Sequence, residues 1–250
     1  MSAKARIIAA VWIALAWLQT QAAAGQMATV DIEIVLAVDA SGSVDKHELQ
    51  LQLKGIAAAF RDKTVQYAIG QGRMRRIAVA MLIWSDAAFS KFPSKWHIVA
   101  SGEDAERFAT AVEGFHELTA GVYSIGGGGT GLGDGLAYAL KMIEDNGIEA
   151  SRRIVDISGD GIETQAWNDG AIMLPEARSR AIAGSVTVNG LAITPDDPGL
   201  AGWYRRNVAV GAGSFVMEAV SFEDFRQAIR QKLLREFSPA AVRQNTGPAR

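Results

Sequence analysis

Asp39, Ser41 and Ser43 set one carboxylate and two hydroxyls at alternate positions directly after an apolar run, Ile34 to Val38. Three hard oxygen donors on one tight turn suit Mg²⁺, Ca²⁺ or Mn²⁺ better than zinc or copper. The same residue types also lead the preference for helix N-caps, so the D-x-S-x-S run reads equally as the cap of a following helix. Two later positions add oxygen donors. Thr130 lies in the glycine-rich stretch Gly126 to Gly133, and Asp160 stands between Gly159 and Gly161 at the end of another apolar run. The three histidines, His47, His97 and His116, show no metal-ligand spacing, and the absence of cysteine removes thiolate sites, disulfides and cysteine nucleophiles.

The elements that must position these residues follow from hydrophobic periodicity. Short continuous apolar runs ending at Asp39, over Arg76 to Trp84, over Arg153 to Ser158 and over Ser185 to Ile193 predict strands buried on both faces. Phe89 to Val99 predicts an edge strand interrupted by Pro93, and Phe215 to Val220 a last short strand. Helical spacing covers Asp45 to Arg61, Ser101 to about Glu117 with Asp104 completing an N-cap pair, about Asp134 to Asn146, Pro175 to about Ala183, and Phe222 to Phe237. Strands alternating with helices predict an α/β fold, a Rossmann-like and mostly parallel central sheet with helices on both faces. Ligands bind such sheets beyond the carboxyl ends of the strands, which is where Asp39 and Asp160 fall.

The chain divides into three parts. Lys4 and Arg6, an apolar stretch from Ile7 to Leu18 and the small residues Ala22 to Ala24 form the pattern of a secretory signal over residues 1–24, and the stretch is short for a membrane span. Residues 25–237 form one domain, and 238–250 a flexible tail. An exported protein, periplasmic or secreted, is expected. Of the 25 Lys and Arg two lie in the leader, against 27 Asp and Glu, and no basic patch suggests nucleic acid as a partner.

Other chemistries fit less well. Gly126, Gly128 and Gly131 satisfy G-x-G-x-x-G, but no clear strand precedes them, and no Gly-Lys-Ser/Thr of a P-loop occurs. A metal-dependent phosphotransfer enzyme of the haloacid dehalogenase type, with Asp39 as nucleophile, wants a second Asp two residues on, where Ser41 stands. Neither Ser41 nor Ser43 lies in G-x-S-x-G.

Together, the strand ending in D-x-S-G-S, the Thr of a glycine-rich loop and the Asp-Gly after a later buried strand resemble the von Willebrand factor A (VWA) domain, over roughly residues 30 to 235. More narrowly, the chain resembles a bacterial exported branch of unassigned function. The resemblance implies a metal-ion-dependent adhesion site built by Asp39, Ser41, Ser43, Thr130 and Asp160. It departs from the family at Gly159, where Thr is usual. The implied function is metal-dependent recognition of a protein partner whose Asp or Glu completes the metal shell, without catalysis. The alternatives are the phosphotransfer enzyme and a VWA-like scaffold that has lost its metal. Loops on the same rim, carrying Trp167, Asp169, Asp196 and Asp197, are expected to set partner specificity.

Overall fold

The computed structural model describes residues 28–89, 91–119, 129–164 and 170–238. The expected leader, the expected tail beyond Ser238, and Trp167 and Asp169 lie outside the described residues.

Five parallel strands form the body of the sheet: β1 (Thr29–Asp39), β2 (Ile77–Trp84), β5 (Glu149–Gly159), β6 (Val186–Ile193) and β7 (Val216–Ala219). Two short antiparallel pieces, β3 (Phe92–Pro93) and β4 (His97–Val99), both pair with β2. Pro93 is tolerated there because an edge strand does not need every backbone donor. The strand order β3-β2-β1-β5-β6-β7 runs outward from β1 to β2 and then resumes on the other side of β1. That reversal opens a crevice between the carboxyl ends of β1 and β5. Val38 pairs with Ser158, so Asp39 and Asp160 leave the sheet as neighbours.

Helices cover both faces because β1 and β2 are apolar on both faces. On one face α1 (Lys46–Arg61), α2 (Lys63–Ile69), α3 (Gly102–Thr119) and α7 (Phe225–Phe237) close a core around Leu36, Leu53, Phe60, Phe108 and Leu233. On the other, α4 (Leu132–Glu144), α5 (Leu174–Ala183) and α6 (Leu200–Asn207) cover Val35, Ala37, Val155 and Ile157. Asp45 caps α1 through a full capping box with Glu48. Ser101 and Asp104 bond to each other at the head of α3, as expected from their spacing.

Several boundaries differ from the sequence reading. The short helices α2 and α6 lay in stretches assigned no element, β5 begins four residues earlier, and α4 begins at Leu132. Among the described residues, the element before the glycine-rich stretch is α3, and residues 120–128 between them lie outside the described residues.

One polar cluster sits inside the apolar layers. Lys232 of α7, wholly buried, places Nζ 2.6 Å from Asp156 Oδ1 and 3.4 Å from Glu236 Oε1. Asn189 donates to Glu236, and its own oxygen accepts from Phe215 N. Burial raises the Asp156 carboxyl, while the ammonium of Lys232 opposes that shift. Lys232→Met would strand Asp156 in the core, while Glu236 keeps Arg152 at 3.7 Å and the amide of Asn189, and we expect it to cost about 3–5 kcal/mol in urea unfolding. Combining it with Asp156→Leu should recover part of that loss.

Candidate metal centre

The turn after β1 is built by its own side chains. Asp39 Oδ1 accepts the backbone N–H of Ser41 at 2.7 Å, an Asx-type closure that Asp forms readily, and Val44 N bonds Ser41 O at 2.9 Å. Ala40 N donates to Trp84 O at 2.8 Å, tying the turn to the end of β2. From α1, the wholly buried Gln52 donates to Asp39 O at 3.3 Å and accepts from Ser158 Oγ at 3.3 Å. A single side chain therefore bridges the ends of β1 and β5 across the crevice.

The other two loops lock onto each other. Thr130 N donates to Thr164 Oγ1 at 2.7 Å, and Thr164 N returns a bond to Thr130 O at 3.0 Å. Gly133 N donates to Glu163 Oε2 at 2.7 Å, and Gly131 N to Ser85 O at 3.1 Å. Asp134 accepts from Ile172 N at 3.2 Å, so besides lying in the first turn of α4 it tethers the loop before α5.

These constraints bring all five expected oxygen-bearing residues together. Ser43 Oγ donates to Asp160 Oδ1 at 2.7 Å, Ser41 Oγ lies 3.3 Å from Ser43 Oγ, and Thr130 Oγ1 lies 3.4 Å from Ser41 Oγ. Asp39 is wholly buried, and its Oδ2 has no hydrogen-bond partner among the described residues. An octahedral ion with ligands at about 2.0–2.1 Å holds adjacent oxygens about 3 Å apart, and a larger Ca²⁺ somewhat more. The observed spacings fall in that range. A buried carboxylate oxygen left without a donor is costly unless a cation or a proton meets it. Among the described residues no three His, Cys, Asp or Glu gather; the oxygens that meet here belong to carboxylates and hydroxyls, the types that hard cations prefer.

Electrostatics express the same conflict. Burial, and then the neighbouring charge of Asp160, push the Asp39 carboxyl up to about 8. Burial also raises Asp160, with the Ser43 hydrogen bond opposing and Asp196 adding to the shift. Gly159 stands where a Cβ would lie 2.6 Å from Asp39 Oδ2 and 2.7 Å from Tyr204 Oη. Only glycine lets β5 pass behind the carboxylate this closely, which gives a physical reason for the departure from Thr. Tyr204, wholly buried in α6, makes a long contact of 3.4 Å to Gly161 O, and its phenol is raised by burial and by Asp39 and Asp160.

The family model described as "Protein of unknown function (DUF1194)" matches residues 29–241. The chain belongs to this family. No curated protein matches the DUF1194 chain. Among solved structures it is similar to the pilus adhesin SpaC from Lactobacillus rhamnosus GG, with a TM-score of 0.53 at 15% identity over 83% of this chain and 31% of that one. It is also similar to proximal thread matrix protein 1 from the mussel byssus, with a TM-score of 0.55 at 17% identity over 84% of this chain and 49% of that one. A second structure of the mussel protein, described as having a zinc-occupied MIDAS motif, gives 0.54 at 16% identity, over 84% of this chain and 49% of that one. The DUF1194 chain thus spans a third to a half of the length of these proteins. What they share with it at such identities is the fold, and that fold is the VWA-like α/β architecture expected from the sequence.

Gln52, Ser158, Thr164, Glu163 and Tyr204 support the site and were not singled out in the sequence. Gln52 carried a usable signal, a polar residue on the apolar face of α1. Thr164 carried none, because its role is a backbone contact to a loop thirty-four residues away.

Asp39 and Glu33, whose carboxyl burial pushes up to about 7, both retain in the folded chain a proton that the unfolded chain has released by about pH 5. Metal-free stability should therefore fall as pH rises from about 4 through about 8, by roughly 2–5 kcal/mol in urea titrations with chelator. Asp39→Asn should flatten this slope and stabilise the metal-free chain at pH 8.

Proposed function

We propose that this DUF1194 chain is an exported, metal-dependent binding module of the bacterial cell envelope. Asp39, Ser41, Ser43, Thr130 and Asp160 hold one divalent cation, Mg²⁺ before Ca²⁺ or Mn²⁺, and a carboxylate of a protein partner completes its shell. The observation carrying this reading is the meeting of five oxygen-bearing side chains from three loops beside the unpartnered, wholly buried Oδ2 of Asp39. Two carboxylates offset the charge of a dication, while the hydroxyls leave it electron-poor enough to attract a further anionic oxygen. The cation would also offset the burial and the neighbouring charge of Asp160 that together raise the Asp39 carboxyl, so metal binding releases a proton and strengthens as pH rises.

An adhesion role is supported by the character of the similar proteins, a pilus adhesin and a byssus matrix protein. Export rests on the signal pattern in residues 1–24, and no helix among the described residues is long and apolar enough to cross a membrane. Reading of the partner is assigned to Asp196 and Asp197, which follow β6, and, on the sequence alone, to Trp167 and Asp169. A phosphotransfer role for Asp39 gains no support, since the carboxylate lies fully buried with the hydroxyl of Ser41 where the general acid would have to be.

Calorimetric titration with Mg²⁺ and Mn²⁺ tests the reading. The wild type should bind one ion, and Asp39→Ala or Asp160→Ala should weaken binding at least about tenfold. Saturating metal should raise the midpoint of thermal unfolding of the wild type and leave Asp39→Ala unchanged. Wild-type binding no tighter than that of both variants would refute the metal centre. Trp167→Ala should weaken a captured partner while leaving the ion affinity within about twofold, and equal loss of both would count against a division between rim and cradle.

A further inference from the structure

The end of the molecule that carries the candidate centre is rich in acidic side chains. Asp45 and Glu48 lie beyond β1, Asp196 and Asp197 beyond β6, and Glu223 beyond β7, all at the carboxyl ends of strands that converge on the candidate centre. Among the described residues, none of Asp45, Glu48, Asp160, Asp196 and Asp197 forms an ion pair with Lys or Arg. The nearby bases are few. Lys91 turns its Nζ inward to the carbonyl oxygens of Asp86, Phe89 and Ala87, at 2.7, 3.1 and 3.4 Å. Lys46 and His47 stand at the head of α1, and the exposed Arg226 in the first turn of α7.

Helix capping accounts for part of this excess. Asp45 and Glu48 complete the capping box of α1, while Asp197 closes its own turn by accepting from Gly199 N at 2.7 Å. Asp196 is different: it follows directly on the carboxyl end of β6, is exposed, and makes no hydrogen bond or ion pair among the described residues. Inside this ring lies the second, independent feature, the wholly buried Oδ2 of Asp39 with no partner.

We infer that the partner of this face is a basic protein surface in which a single carboxylate is framed by Lys or Arg. The inference rests on the metal-centre reading above and sharpens it. A dication offsets only Asp39 and Asp160, so the surrounding acids still face whatever approaches. Each fixed charge at about 8 Å repels an incoming carboxylate by about 0.5 kcal/mol in water, and several such terms act together within the Debye length of about 10 Å at 0.1 M salt. An acidic surface is turned away by that sum, whereas flanking ammonium or guanidinium groups reverse its sign and speed encounter. The central carboxylate supplies the metal bond, and the basic frame supplies the approach.

The test uses three fluorescent peptides on the full mature chain with Mg²⁺: one Asp between pairs of Lys, the same Asp between pairs of Glu, and the Lys-framed peptide with Asn for Asp. At about 20 mM NaCl the Lys-framed Asp peptide should bind at least about tenfold tighter than the Glu-framed one, and the difference should shrink below about threefold near 0.5 M. Asp196→Asn combined with Asp197→Asn should weaken the Lys-framed peptide about threefold or more while leaving Mn²⁺ affinity within about twofold. Equal binding of the two Asp peptides, a rim variant without effect, or no binding of the Lys-framed peptide at about 1 mM would overturn the basic-partner inference. Chelator and the Asn peptide separate the two layers. Lys-framed binding that survives both, yet falls in the rim variant, keeps the basic partner and rejects the metal bond, while binding lost in both but blind to framing does the reverse.

Discussion

Two carboxylates held close together under a layer of loops repel each other, and water cannot screen them where Asp39 lies. Such an arrangement persists only if the surrounding framework is stiff enough to prevent the pair from moving apart, and if something positive meets it. The framework is visible in the bonds that do not involve the carboxylates' free oxygens: Ala40 to Trp84, Gln52 to both β1 and β5, and the reciprocal pair between Thr130 and Thr164. Each ties one loop to a different neighbour. The geometry of the oxygens is therefore set by three loops bracing one another over a rigid sheet, with stability contributed by the two apolar layers beneath.

The topology explains why distant segments can meet. Because the chain departs from β1 in one direction and returns on its other side, the loops after β1 and β5 are not drawn over to the same side of the sheet and leave a gap. Gln52 spans that gap, and Gly159 keeps its floor low enough for Tyr204 to stand behind Asp39. The absence of a side chain at Gly159 and the presence of a buried phenol in α6 are thus two parts of one packing solution.

Much of this was legible beforehand. The long apolar runs ending in Asp39 and Ser158 betrayed strands covered on both faces, because only burial on both sides tolerates such runs. Spacing by two at Asp39, Ser41 and Ser43 gave the first loop, and the pair Ser101 and Asp104 marked a helix start. The VWA resemblance linked Thr130 and Asp160 to that loop. What escaped notice were elements whose local signal is weak. Helix α2, only seven residues, and α6, rich in arginine with only three buried positions, owe their existence to tertiary contacts more than to periodicity. The bracing residues were hidden for a related reason: a threonine that bonds a backbone amide far away in sequence looks like any loop threonine.

The sheet is bounded by very short strands. On one side it stops at the two-residue β3 and three-residue β4, on the other at the four-residue β7. Few backbone donors and acceptors are left open along either border, and Pro93 removes one more. Strand addition by a second chain, the usual route to fibrous aggregation and to edge-to-edge recruitment of extended peptides, finds little template here. Blunt borders therefore keep association away from the sheet and leave the loop end of the strands as the surface open to other molecules.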